Sequence, residues 1–257
     1  MTCKERILSN DYTDILGDVI LTGDYRFDLP FDYCFHQITQ DIGILYIERR
    51  STESYPMGQR AYSLTPKCYG LMAYGKESVL RAAQNRNLNT LALAESGILS
   101  VQGAPLSLTG KNVTIGFIDT GIRYQDPVFR DYAGRSRIVG IWDQTIQTGT
   151  PPEGFEYGTE YRRADIDRAL ASENPLAVVP TTDAIGHGTR MASAAAGSLL
   201  NQGLDFRGAA PLADIAVVKL KGAKTYLRDY YLIDDQAVAF QENDIMEAVK
   251  YLQQMAV

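Results

Sequence analysis

Val113-Thr114-Ile115-Gly116-Phe117-Ile118-Asp119-Thr120-Gly121 is a short apolar run that ends on an acid and a glycine turn. Bounded by Gly110 and Gly121 and lacking the polar alternation of a half-solvated sheet, it reads as a buried strand of a parallel sheet. Outward from it, Ile138 to Trp142 and Ala213 to Leu220 form two more such runs. Gln144 to Gly158 is a Thr, Pro and Gly-rich loop, and Ala164 to Ser172 has helical spacing that Pro175 closes. Thr189 to Leu199 is an alanine-rich helix able to lie close against a neighbour. Glu242 to Met255 sets Ile245, Val249 and Leu252, with Met246 and Ala248, on one stripe, and Asn243 or Asp244 can cap it. Strands alternating with helices imply an α/β class with right-handed crossovers.

The first 75 residues have a different texture. Asp18 to Thr22 and Ile42 to Ile47 are short strands between polar turns, as in a small α+β module. Ser54 to Gly58 and Leu64 to Lys67 read as proline-interrupted loops, and Lys76 to Ala94 as a helix that Gly97 ends. The division expected is 1–75 for the module and 76–257 for the α/β part.

With 25 basic and 31 acidic residues the net charge is −6, and no basic stripe suits nucleic acid. Met1 to Gly17 has no apolar signal core, and no stretch approaches the roughly 20 apolar residues of a membrane span. Cys3, Cys34 and Cys68 are odd in number and lack metal-ligand spacing, so a reducing compartment with three incidental thiols is expected. His36, the only histidine besides His187, reads as structural or exposed.

Two positions carry chemistry. Asp119 falls where a parallel strand ends, the edge at which α/β folds assemble sites. His187, between Gly186 and Gly188 at a helix start, can project its ring from the first turn. A positive helix end disfavours the protonated ring and a nearby carboxylate favours it, an opposition suited to a base near neutral pH. Alone, Asp119 could be a turn residue or an aspartic-protease Asp-Thr-Gly, and His187 a helix-cap histidine.

Together, Ile118-Asp119-Thr120-Gly121, Asp183-Ala184-Ile185-Gly186-His187-Gly188-Thr189 and Arg207-Gly208-Ala209-Ala210-Pro211 resemble the subtilisin-like serine proteases. Ser96-Gly97-Ile98, Leu108-Thr109-Gly110-Lys111, Ile141 to Ile146, Tyr157 to Tyr161 and Phe240 to Ile245 are similar to the Csp-type germination branch. The resemblance implies a subtilisin-like parallel sheet flanked by helices, truncated here, behind a prodomain-like module. It implies Asp119 and His187 as catalytic and Asp183 as a contributor to a substrate subsite or a turn cap. Arg190 departs from the family pattern after His-Gly-Thr, which would alter packing near the cleft.

No Gly-Thr-Ser-x-Ala nucleophile motif occurs between Met1 and Val257. The expectation is therefore a serine endopeptidase by family whose 257 residues alone are inactive, with a non-catalytic binding or regulatory pseudoprotease as the alternative. Protein substrates, including a spore-wall hydrolase zymogen, and a cytoplasmic or spore-associated location follow from the resemblance. No cofactor motif is present. Asp229, Asp234 and Asp235 read as a solvated loop, with a calcium site the alternative that the family resemblance allows, and the Lys219, Lys221 and Lys224 charges read as a strand exit without a role. Unpaired strand edges are expected to make the isolated chain poorly soluble.

Overall fold

The computed structural model describes residues 2–10, 16–22, 32–48, 61–63, 66–68, 92–199 and 206–256. It opens with helix α1 (Cys3–Leu8), whose Thr2 and Glu5 form a reciprocal capping box. Strands β1 (Leu16–Thr22), β2 (Cys34–Gln37), β3 (Ile42–Glu48) and β4 (Ala61–Ser63) then form an antiparallel sheet in the order β2-β3-β1-β4. β5 (Pro66–Cys68) follows, and later pairs with a strand of the α/β region.

The second region runs α2 (Ile98–Gln102), β6 (Thr114–Asp119), β7 (Ile138–Asp143), β8 (Thr159–Arg162), α3 (Arg163–Leu170), α4 (Pro175–Val178) and α5 (His187–Ala196). It continues with β9 (Asp214–Lys219), α6 (Thr225–Tyr230), β10 (Ala239–Gln241) and α7 (Glu242–Met255). Its sheet has the order β6-β9-β7-β8, with β6, β9 and β7 parallel and β8 antiparallel. The fold is thus α/β, a parallel-containing sheet flanked by helices.

Side chains alternate across this sheet as a period of two requires. Ile215 and Val217 of β9 join Ile138, Ile141, Ala192 and Ala196 in one core beneath α5, while Val218 joins Trp142, Tyr157, Ala248 and Tyr251 in another against α7. The second core also takes Ile7, Cys34, Ile44 and Tyr46, so the N-terminal region is packed onto the α7 face. α7 lies close because Gly116 leaves room: a Cβ there would meet Leu252 Cδ1 at 2.7 Å. Among the described residues β6 is paired only with β9 and forms an open edge, beside which Val113 is exposed.

Several expectations are corrected. Cys3 and Cys34 are not incidental thiols: they form a disulfide joining α1 to β2, with Cα atoms 5.3 Å apart across a sequence separation of 31. That pairing depends on the helix folding back over the sheet, which spacing does not reveal. Pro66 is the first residue of β5, opposite Gln241, a place proline tolerates. Pro175 opens α4 as well as following α3, and Ser54 to Gly58 and most of Lys76 to Ala94 lie outside the described residues.

α5 begins at His187, two residues before its apolar pattern, and stops at Ala196, three residues before the end of that pattern, with Gly197 as C-cap. The largest revision is α7. Its bounds agree with the pattern, but Val249 is exposed and the buried stripe is Asp244, Glu247, Ala248 and Tyr251. Asn243 and Asp244 do not cap the helix; Gln241 holds that position without a side-chain cap bond, and both residues are buried in a polar network.

Candidate active site

The carboxyl edge of the parallel sheet carries a row of charges fixed by register. Asp119 lies opposite Lys219, and Lys219 opposite Asp143, so three neighbouring strands end on acid, base and acid. Lys219 Nζ is 3.2 Å from Asp143 Oδ2. Asp143 is fully buried and also accepts from the hydroxyls of Thr145 and Thr181, each at 2.5 Å.

Asp119 faces the other way, toward the start of α5. His187 Nδ1 lies 2.8 Å from both Asp119 Oδ1 and Oδ2. The aspartate side chain is 8% exposed and the histidine 32%, so the carboxylate is held inside while one side of the ring reaches solvent. The Thr120 amide donates to Asp119 Oδ1 at 2.6 Å, which fixes the carboxylate plane.

What brings the two residues together is a short hydrogen-bonded hinge. Thr120 Oγ1 donates to Asp183 Oδ1 at 2.8 Å and accepts from the Gly188 amide at 3.1 Å. Asp183, itself buried, also accepts from the Gly186 amide at 2.7 Å and from the Thr189 amide and hydroxyl at 2.9 and 2.7 Å. It thereby satisfies amides at the helix start that have no partner within the helix, and explains why α5 begins at His187. Gly188 is required by contact: a Cβ would stand 2.2 Å from the Gly121 carbonyl oxygen and 3.0 Å from Asp119 Cβ.

Beside Thr120 opens a cleft of about 280 Å³, lined largely by apolar groups including Ile185, Leu220, Val238 and Phe240. It lies on the side of the dyad away from the open edge of β6.

A second polar cluster lies beneath α7. Lys224 Nζ is 2.6 Å from Asp18 Oδ1, and Lys221 Nζ is 2.7 Å from Asp244 Oδ2. Gln241 and Asn243 extend the network to Asp18 and to the Tyr46 hydroxyl. Burial lowers the Lys224 ammonium against the opposing pull of Asp18, and burial raises the Asp244 carboxyl although Lys221 opposes it. The lysine motif read as a featureless strand exit is therefore part of the join between the two regions. Nothing in its spacing signals this, because both acids come from distant elements.

His36 is buried in that join, its Nδ1 2.7 Å from Glu247 Oε1. Asp234 Oδ1 accepts from the Gln236 amide and its carbonyl from Arg228, so it is used by its own turn. Among the described residues no three His, Cys, Asp or Glu side chains gather to hold an ion. Nor is any helix among them long and apolar enough to cross a membrane.

Comparison with known proteins bears on this arrangement. The chain is 28% identical over 158 residues to the Subtilisin-like protease SBT3.6 of Arabidopsis thaliana, covering 54% of this chain and 19% of that protein. It is also similar to the CspB protease of Clostridium perfringens, with 30% identity, a TM-score of 0.48, and coverage of 62% of this chain and 29% of that one. It thus spans less than a third of the length of either. The subtilase family matches residues 110–246, more than half the chain and a span that includes both Asp119 and His187. This chain belongs to the subtilase family.

Proposed function

We propose that the chain supplies the aspartate and histidine of a subtilisin-type serine endopeptidase. The observation that carries this reading is the bidentate approach of Asp119 to His187 Nδ1 at the carboxyl end of β6. With Nδ1 directed at a buried carboxylate, Nε2 would be the nitrogen that takes a proton from a serine and returns it to the leaving amine. Asp119 would fix the tautomer and stabilise the imidazolium as the acyl-enzyme forms. Asp183, whose two oxygens receive four donors from its own chain, would position His187 rather than touch substrate. The apolar cleft beside Thr120 suits a substrate side chain.

In this reading residues 1–75 are a prodomain-like module and 76–257 the N-terminal part of the peptidase domain, although β5 crosses to pair with β10. Substrates are proteins, with a spore-wall hydrolase zymogen the specific candidate from the Csp-type motifs. Because no nucleophile motif lies within the 257 residues, they are inactive alone. That same absence favours the second reading, a binding or regulatory pseudoprotease.

Labelling with a fluorophosphonate, which requires an activated serine, separates these. The 257-residue chain should not be labelled. A longer product carrying a Gly-Thr-Ser segment after Val257 should be, and His187→Ala in it should abolish labelling. Labelling of the short chain, or full labelling of the histidine variant, would sink the proposal. A gene without such a segment would leave the pseudoprotease reading.

A further inference from the structure

The opposite edge of the parallel sheet holds a cavity that the peptidase reading leaves unused. β6, β7 and β9 begin there, so it sits at the amino ends of the strands whose carboxyl ends carry Asp119, Asp143 and Lys219. Its volume is about 380 Å³, and its lining includes Lys111, Arg130, Arg137, Arg163, Asp131 and Asp214. Four cations against two carboxylates leave an excess of two positive charges.

Those carboxylates are already engaged. Asp214 Oδ1 is 2.6 Å from Arg163 Nη2, and Asp131 is tied to Arg135 at 2.9 Å outside the cavity lining. The arginines are not fully used. Arg137 is only 5% exposed and gives both terminal nitrogens to the carbonyls of Ala213, Val128 and Ala196, leaving its Nε without a partner. Arg130 places Nη2 on the Gln125 carbonyl, Arg163 places Nη2 on Asp214, and each likewise keeps a buried Nε unpaired.

A buried N–H without an acceptor is unfavourable, so three around one cavity are not expected from packing alone. Guanidinium forks match phosphate oxygens in geometry, and an acceptor within the cavity is what these arginines lack. Phosphate and its monoesters carry close to two negative charges near neutral pH, matching the excess. Pro211 and Leu212 give one wall an apolar surface, and Tyr132 lies exposed among the lining residues.

We propose that this cavity binds a small phosphate-bearing dianion, either inorganic phosphate or a phosphate monoester. The site is separate from the Asp119–His187 dyad and does not depend on the peptidase reading.

Calorimetric titration of the 257-residue chain with inorganic phosphate, phenyl phosphate and acetate tests it. The expected result is one saturable phosphate-binding site that weakens as salt is raised. Arg130→Gln and Arg163→Gln should each weaken it about tenfold or more. Lys111→Gln, at an exposed position, should weaken it without affecting folding, and His187→Ala should leave it unchanged. Tighter binding of phenyl phosphate would identify the ester as ligand, and equal or weaker binding the free ion. No saturable binding of either up to about 10 mM, acetate binding as well as phosphate, or full affinity in the Lys111 and Arg130 variants would overturn the proposal.

Discussion

At the carboxyl edge of the sheet a buried aspartate meets a base whose ring is one-third in solvent; beneath α7 another meets a base that is 2% exposed. The pairs are alike in composition and opposite in setting. Asp119 and His187 lie on adjacent elements of one region, joined by the hinge of Thr120 and Asp183, and the ring keeps a solvent side through which a proton could pass. Asp18 and Lys224 come from the two regions of the molecule and leave almost no surface. A charge pair sealed in this way holds surfaces in register; a half-open one keeps its base within reach of solvent.

Breaking the sealed pair should have the largest effect. Lys224→Ala leaves the Asp18 carboxylate buried without its partner and is expected to cost about 3–5 kcal/mol in urea unfolding, whereas Asp18→Leu combined with Lys224→Met should recover most of that loss. If the single variant is nearly neutral, the two settings do not differ as described. Thr120→Val at the open pair should cost about 1–3 kcal/mol by leaving the Gly188 amide without an acceptor and removing one of the two donors to Asp183 Oδ1. It should also shift the His187 ring resonances, and unchanged resonances would remove Thr120 from the hinge.

The smallest effect is a slope. Burial lifts the Asp244 carboxyl above its ordinary 3.8, so the folded chain keeps this proton where the unfolded chain has lost it. Its contribution is therefore greatest below 3.8 and declines as pH rises through the folded value. Wild-type stability relative to Asp244→Asn should fall with rising pH in that window, by at most about 1.4 kcal/mol per pH unit. A relative stability that rises there would contradict the assigned direction.

Legibility in the sequence followed how local the determinants were. β9 could be read because a strand buried on both faces leaves an uninterrupted apolar run, and the alanines of α5 announced close packing. β6 was read as equally buried, yet among the described residues it is an open-edge strand in which only Asp119 is buried. The far end of α5 could not be read, because the apolar pattern runs on to Leu199 while Gly197 caps the helix. α7 misled for a different reason: periodicity assumes that buried means apolar, yet its inner face is Asp244, Glu247, Ala248 and Tyr251. Those acids are tolerated only because Lys221 and His36 arrive from elsewhere, and no window of neighbouring residues contains that information. Asp119 and His187 were legible through their glycine-flanked motifs, whereas Thr120, which joins them, was not distinguished from ordinary turn chemistry.

The disulfide between Cys3 and Cys34 also decides what a protease could release from this chain. A single peptide-bond cut anywhere between those two residues opens the covalent ring without parting its ends. The amino-terminal helix would leave with its sheet or not at all until a reductant acted. On a non-reducing gel such a nicked product would still run as one species, and only on reduction would it appear as two.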